Sequence, residues 1–129
     1  MKLNTDCVRD ILLSVEEECD FSHHMDYDRD LNNNIRLKQY THEEIIYHIR
    51  QCEYSELIFK PNYYDGGKHI IISDLTPSGH QFLANIRDDN VWNGVKVVAK
   101  KVGSTSLNAI TQIASNVITQ IIKSQFNLV

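Results

Sequence analysis

The sequence predicts an α+β fold, a set of amphipathic helices around one small antiparallel sheet. Three observations predict it. Five stretches space apolar residues as helices do, two β-prone runs bracket a glycine-bearing turn, and 129 residues with 42% hydrophobic and 23% charged content suit an ordinary buried core. With 2 Pro and 5 Gly, and no apolar run near the ~20 residues of a bilayer span, disordered, collagen-like and membrane-spanning classes drop out. The opening Met1-Lys2-Leu3-Asn4-Thr5-Asp6 lacks the apolar centre of a signal peptide, so a cytoplasmic location is expected.

In the first stretch Val8, Ile11, Leu12, Val15 and Cys19 fall at i, i+3, i+4, i+7 and i+11, one face of a helix. Asn4 can cap it, and Asp6 suits its positive end. Glu16, Glu17 and Glu18 oppose the negative end, so this helix should stop near Asp20. In residues 20–40, Asp26, Asp28 and Asp30 alternate with Met25, Tyr27 and Arg29 ahead of three asparagines and Ile35-Arg36-Leu37, which reads as a loop holding one short strand. Thr41 and Glu44 form a capping-box pair that opens a second helix through Ile45, Ile46, Ile49 and Cys52 to about Ser55. Its outward face carries Glu43, Glu44, Tyr47, Arg50, Gln51 and Tyr54.

Leu57–Lys60 and His69–Ile72 are β-prone and bracket Asn62-Tyr63-Tyr64-Asp65-Gly66-Gly67, whose Asp-Gly-Gly supplies the positive φ angles of a hairpin. Pro61 cannot donate to a ladder, so its strand is expected at an edge or already leaving the sheet. Thr76 as cap and Pro77 at the first helical position start a third helix with Phe82, Leu83 and Ile86 turned inward. Val91, Trp92, Val95, Val98, Ala99 and Val102 mark a fourth, which Gly103 is placed to end. Ser104 or Ser106 caps the last, running to about Phe126. It sets Leu107, Ile110, Ile113, Ala114, Val117, Ile118, Ile121 and Ile122 against a nearly uncharged Asn/Gln/Thr/Ser face.

The net charge of -4 hides a gradient, from nine acids against three bases in residues 1–30 to four lysines and no acid in residues 91–129. An acidic total argues against indiscriminate grip on nucleic acid, although a local basic patch can still supply it. Cys7, Cys19 and Cys52 have no metal-site or redox spacing and read as reduced core thiols.

This order of elements, with a glycine-tipped hairpin as the wing, is that of a winged-helix domain. Met1-Lys2-Leu3-Asn4-x-Asp6-Cys7-x-Arg9-Asp10-Ile11-Leu12, Tyr40-x-x-Glu43-Glu44-Ile45-x-Tyr47-His48, Leu75-Thr76-x-x-Gly79-His80-x-Phe82-Leu83 and Asn85-Ile86-Arg87-Asp88-Asp89-x-Val91-Trp92 resemble the bacterial and prophage-borne domain of unknown function 2513 over nearly the whole chain. The resemblance implies a winged-helix-like fold in a bacterial or phage setting, and carries over no catalytic residue or ligand. One departure is visible: no separate helix precedes Thr41 after the first, so a helix-turn-helix would be truncated.

The expected organisation is a winged-helix-like body over residues 1–87 and a two-helix extension over 88–129. For DNA binding, Tyr47, Arg50, Gln51 and Tyr54 would read bases, Lys60, Lys68 and His69 would hold phosphates, and Lys96, Lys100 and Lys101 form a further basic cluster. Glu43 and Glu44 at the reading end oppose this. For self-association, Leu107, Ile110, Ile113, Val117, Ile118 and Ile121 form a stripe that is covered either by the preceding helix or by a second copy. The Asp26/Asp28/Asp30 run departs from a calcium loop, since Leu31 and Leu37 stand at the glycine and bidentate-acid positions. The His23-His24/Asp26 and His48/Cys52 groupings lack further ligands at motif spacing, so neither metal nor cofactor is expected. No nucleophile motif, phosphate loop or HExxH is present, and the expected role is interaction rather than catalysis: protein partners first, a DNA-binding regulator as the alternative.

Overall fold

The computed structural model describes residues 1–104 and 106–127. These residues form an α+β fold in the order α1 (Thr5–Glu18), β1 (Met25–Asp28), α2 (His42–Tyr54), β2 (Asn62–Tyr64), a 3-10 turn (Asp65–Gly67), β3 (His69–Ile72), α3 (Pro77–Ile86), α4 (Asp89–Val102) and α5 (Leu107–Phe126). The chain divides into two compact units, Lys2–His80 and one that begins at Gln81.

In the first unit, α1 packs on α2. The expected face of α1 is inside, with Val8, Ile11, Leu12 and Val15 buried alongside Ile45, Ile49 and Cys52 of α2. Both caps form as the sequence predicts. The Asn4 side chain accepts from the amides of Asp6 and Cys7, and Thr41 and Glu44 make both bonds of a capping box. A tie between the helices was not legible in the sequence: the Asn4 amide donates to Nε2 of buried His48 at 2.8 Å, and His48 Nδ1 donates to the Glu44 carbonyl at 2.7 Å.

The sheet is antiparallel with order β1-β3-β2. β3 is central, and Met25 pairs with Ile72 on one side while Asn62 pairs with Ile71 on the other. The short strand expected in residues 20–40 is β1. Met25 and Tyr27 are buried and Asp26 and Asp28 face outward, so the aspartate alternation is the period of a strand at a sheet edge, where charge also discourages further pairing.

The hairpin is present but its first strand is corrected from Leu57–Lys60 to Asn62–Tyr64. Leu57 and Ile58 are buried, and Ile58 makes only a lone bridge to Leu75. Lys60 takes φ 34° and is followed by Pro61, so no ladder can run through these residues. The tip behaves as Asp-Gly-Gly dictates, with φ of 53°, 67° and 94° at Asp65, Gly66 and Gly67. Between α1 and α2 the described residues hold β1 and turns but no helix. Thr76 caps α3 by accepting from the Gly79 amide at 2.9 Å.

In the second unit Phe82, Leu83 and Ile86 are buried as expected. Asp88 caps α4, Gly103 ends it at φ 71°, and Ser106 rather than Ser104 caps α5. α4 and α5 pack against each other as a helical hairpin, burying Trp92, Val95 and Ala99 with Leu107, Ile110 and Ala114. The first half of the α5 stripe is therefore covered within the chain. Among the described residues, no helix is long and apolar enough to cross a membrane.

Candidate functional site

Three surfaces compete for function. The first is the outer face of α2 with the hairpin, where DNA contacts were expected. Arg50 is exposed, its guanidinium carbon 5.2 Å from the Tyr63 ring centroid on β2, and the Tyr63 hydroxyl donates to Glu53 at 2.8 Å. Burial, helped by Glu53, pushes that phenol well above its ordinary range. Tyr54 is exposed, Gln51 is half-buried, and Tyr47 lies edge-on to the His48 ring at 5.1 Å. Lys60 extends over the Phe59 ring, and Lys68 is exposed beside the tip. His69 Nε2 is engaged across the sheet by the Asp26 carboxylate at 2.5 Å. The structure thus brings Arg50 and His69 each to a neighbour carrying or adjoining a carboxylate, which weakens the face as a phosphate binder.

The second surface is the α4–α5 hairpin. Lys96 lies over the Trp92 ring, while Lys100 and Lys101 are exposed in the last turn of α4, where cations suit the helix end. On α5, Leu107 and Ile110 are buried and Ile113, Val117 and Ile118 are half-buried, whereas Ile121, Ile122 and Phe126 are 41%, 49% and 75% exposed. The reason is length. α5 has 20 residues against 14 in α4, a difference of about 9 Å at the α-helical rise, so the end of α5 outruns its partner. Val98, Ile113, Asn116, Val117, Gln120 and Ile121 line a mostly apolar groove of about 320 Å³ between the two helices.

The third surface was not singled out from the sequence: a polar cleft of about 470 Å³ between the end of α1, β1 and the segment leading to α2. Glu17, Glu18, Asp26 and Asp28 contribute carboxylates, and Leu31 and Ile35 contribute apolar side chains that are 72% and 87% exposed. Arg36 pairs with Glu17, and the Asn34 side-chain amide donates to Glu18 at 3.0 Å. Partial burial raises the Glu18 carboxyl above its ordinary value, with Glu17 and Asp26 adding to the shift and the Asn34 bond opposing it. The sequence held only a partial signal, Glu17 and Glu18 at the wrong end of a helix dipole, a local cost of the kind that functional surfaces tolerate.

The three cysteines, His23 and His48 are engaged or buried within the fold. Burial pushes the Cys7 thiol up to about 12 and the Cys52 thiol higher still, so both are inert core thiols, while the Cys19 thiol donates to the Ile72 carbonyl at 3.3 Å. His23 is bonded to Asp20, and His48 has both ring nitrogens occupied within its own fold. Among the described residues, no group of three His, Cys, Asp or Glu is arranged to hold a metal ion.

Residues 2–106 match the family model described as "Hypothetical protein (DUF2513)". The chain belongs to the DUF2513 family. An "Uncharacterized protein" of Haemophilus influenzae is similar to it, 32% identical over 124 residues that span 95% of this chain and 99% of the relative. The DUF2513 match stops at the cap of α5, but the alignment with the Haemophilus relative leaves too few residues outside it to omit that helix. No solved structure matches this DUF2513 protein.

Proposed function

We propose that this DUF2513 protein is a non-enzymatic accessory protein of bacterial or prophage origin that acts in the cytoplasm through macromolecular contact, and that its first partner is a second copy of itself, bound through α5. The overhang of α5 supports this reading. Ile121, Ile122 and Phe126 continue an apolar stripe past the end of α4 and stand in water, where burying a large aliphatic or aromatic side chain is worth about 1.5–3 kcal/mol. Lys123 is the only charged residue in α5, so two copies of the helix meet almost no like-charge repulsion, as a self-complementary contact requires.

Sedimentation equilibrium of the full chain at high salt tests it. Because Ile121 and Ile122 are half exposed, Ile121→Asp with Ile122→Asp leaves the monomer's core intact, and helical circular dichroism should be unchanged. The wild type is expected to dimerise and the double variant to be monomeric, since pairing would bury unpaired carboxylates. A folded double variant that still dimerises overturns the proposal.

The second reading is a winged-helix DNA-binding regulator. It is supported by α2 being the helix that precedes an antiparallel hairpin with a left-handed tip, and by exposed Arg50 and Tyr54 on α2. Under this reading, fluorescence-detected affinity for random duplex DNA falls steeply with salt, and Lys68→Ala reduces the log–log slope by about 1. Absence of binding at low salt refutes it.

A further inference from the structure

We propose that the cleft at the end of α1 is a docking site for the outer face of α4 in a second copy of the chain, a head-to-tail contact separate from the α5 pairing. Two properties of the cleft define what fits. Its carboxylates outnumber its one cation, Arg36, which Glu17 already engages. Beside them Leu31 and Ile35 are apolar, largely exposed and unused by the core. A complementary surface must therefore present cations with an apolar side chain among them.

The outer face of α4 has this composition. Steps of 100° per residue place Val97 between Lys100 and Lys101 around the helix, with Lys96 beside Lys100, and Val97, Lys100 and Lys101 are exposed. No acid follows Asp89 in the sequence, where the only charges are four lysines, while the first 30 residues hold nine acids against three bases. Glu17, Glu18, Lys100 and Lys101 are all exposed, and one chain carries both complements. Two different patches meeting in this way make a heterologous contact, driven by charge and therefore weakened by salt.

The test uses the full chain carrying Ile121→Asp and Ile122→Asp, which removes the α5 pairing and so separates the two proposals. At low salt this chain is expected to associate with increasing concentration, and high salt should abolish the association. Lys100→Glu with Lys101→Glu, or Glu17→Lys with Glu18→Lys, should each weaken it by about tenfold or more. The second pair gives up the Arg36 and Asn34 contacts but puts cations at the C-terminal end of α1, where the helix dipole favours them, and circular dichroism checks that the fold is retained. An equimolar mixture of the two reversed chains is expected to associate again, because each then presents the complement of the other. The proposal is overturned if the parent chain stays monomeric at low salt, if either reversal leaves association unchanged, or if the mixture does not recover. The α5 reading is judged independently, by comparing wild type with Ile121→Asp/Ile122→Asp at high salt.

Discussion

Gly79→Ala is expected to lower the stability of the chain sharply, although it adds only one methyl group. In an ordinary helix the exchange stabilises by about 0.5–1 kcal/mol, because glycine loses more backbone entropy on folding. Here the sign reverses. A Cβ at Gly79 would stand 2.0 Å from the Leu57 carbonyl oxygen and 3.0 Å from its carbon, both backbone atoms. Leu57 cannot yield, because its amide donates to the Cys52 carbonyl at 2.9 Å and its own carbonyl accepts from the Thr76 amide at 3.1 Å. The clash is therefore resolved by separating α3 from the chain after α2, at a cost of about 4 kcal/mol or more, against the 5–15 kcal/mol that stabilises a typical domain. Urea unfolding followed by circular dichroism measures this, and a midpoint close to wild type would refute the close approach.

His48→Ala is expected to cost about 3 kcal/mol, and His48→Leu about 1–2 kcal/mol. Leucine restores most of the volume but leaves the Asn4 amide without its acceptor and the Glu44 carbonyl without its side-chain donor; alanine adds a cavity between α1 and α2. The expected order of urea midpoints is wild type, Leu, Ala, with the slope unchanged. A leucine variant as stable as wild type would show that volume, not the hydrogen-bond tie, is what His48 supplies.

The elements that were legible share one property: their signals and their consequences lie within a few residues. Asn4, Thr41 with Glu44, Thr76 and Gly103 act on amides or carbonyls in the adjacent turn, so these helix ends follow from local chemistry. The hairpin shows where this runs out. The β propensity of Leu57–Lys60 is genuine, but the backbone turns at Lys60 and Pro61 leave it outside the sheet, and Asn62–Tyr64 pairs instead. Propensity here yielded to the geometry of closing a turn.

Of the candidate surfaces, the α5 stripe was legible as a pattern, while its division into a covered half and an uncovered half depends on the length of α4. The DNA-contact residues were legible as a list, but Arg50 lies over Tyr63 and His69 is engaged by Asp26, partners that the sequence spacing does not reveal. Beyond Glu17 and Glu18 the cleft was not legible, because its walls come from α1, β1 and the segment before α2, and only folding makes them converge.

By itself, then, the sequence determined the α+β class, the five helices with the caps at Asn4, Thr41 and Thr76, the left-handed hairpin tip and the family. The tertiary structure alone decided which strands pair, which half of α5 stays in water, where an acidic cleft opens and why Gly79 tolerates no side chain. The physical reason is range: a cap or a positive φ is settled among neighbours in the chain, whereas pairing, clefts and close approaches are settled between residues that only the folded state brings together.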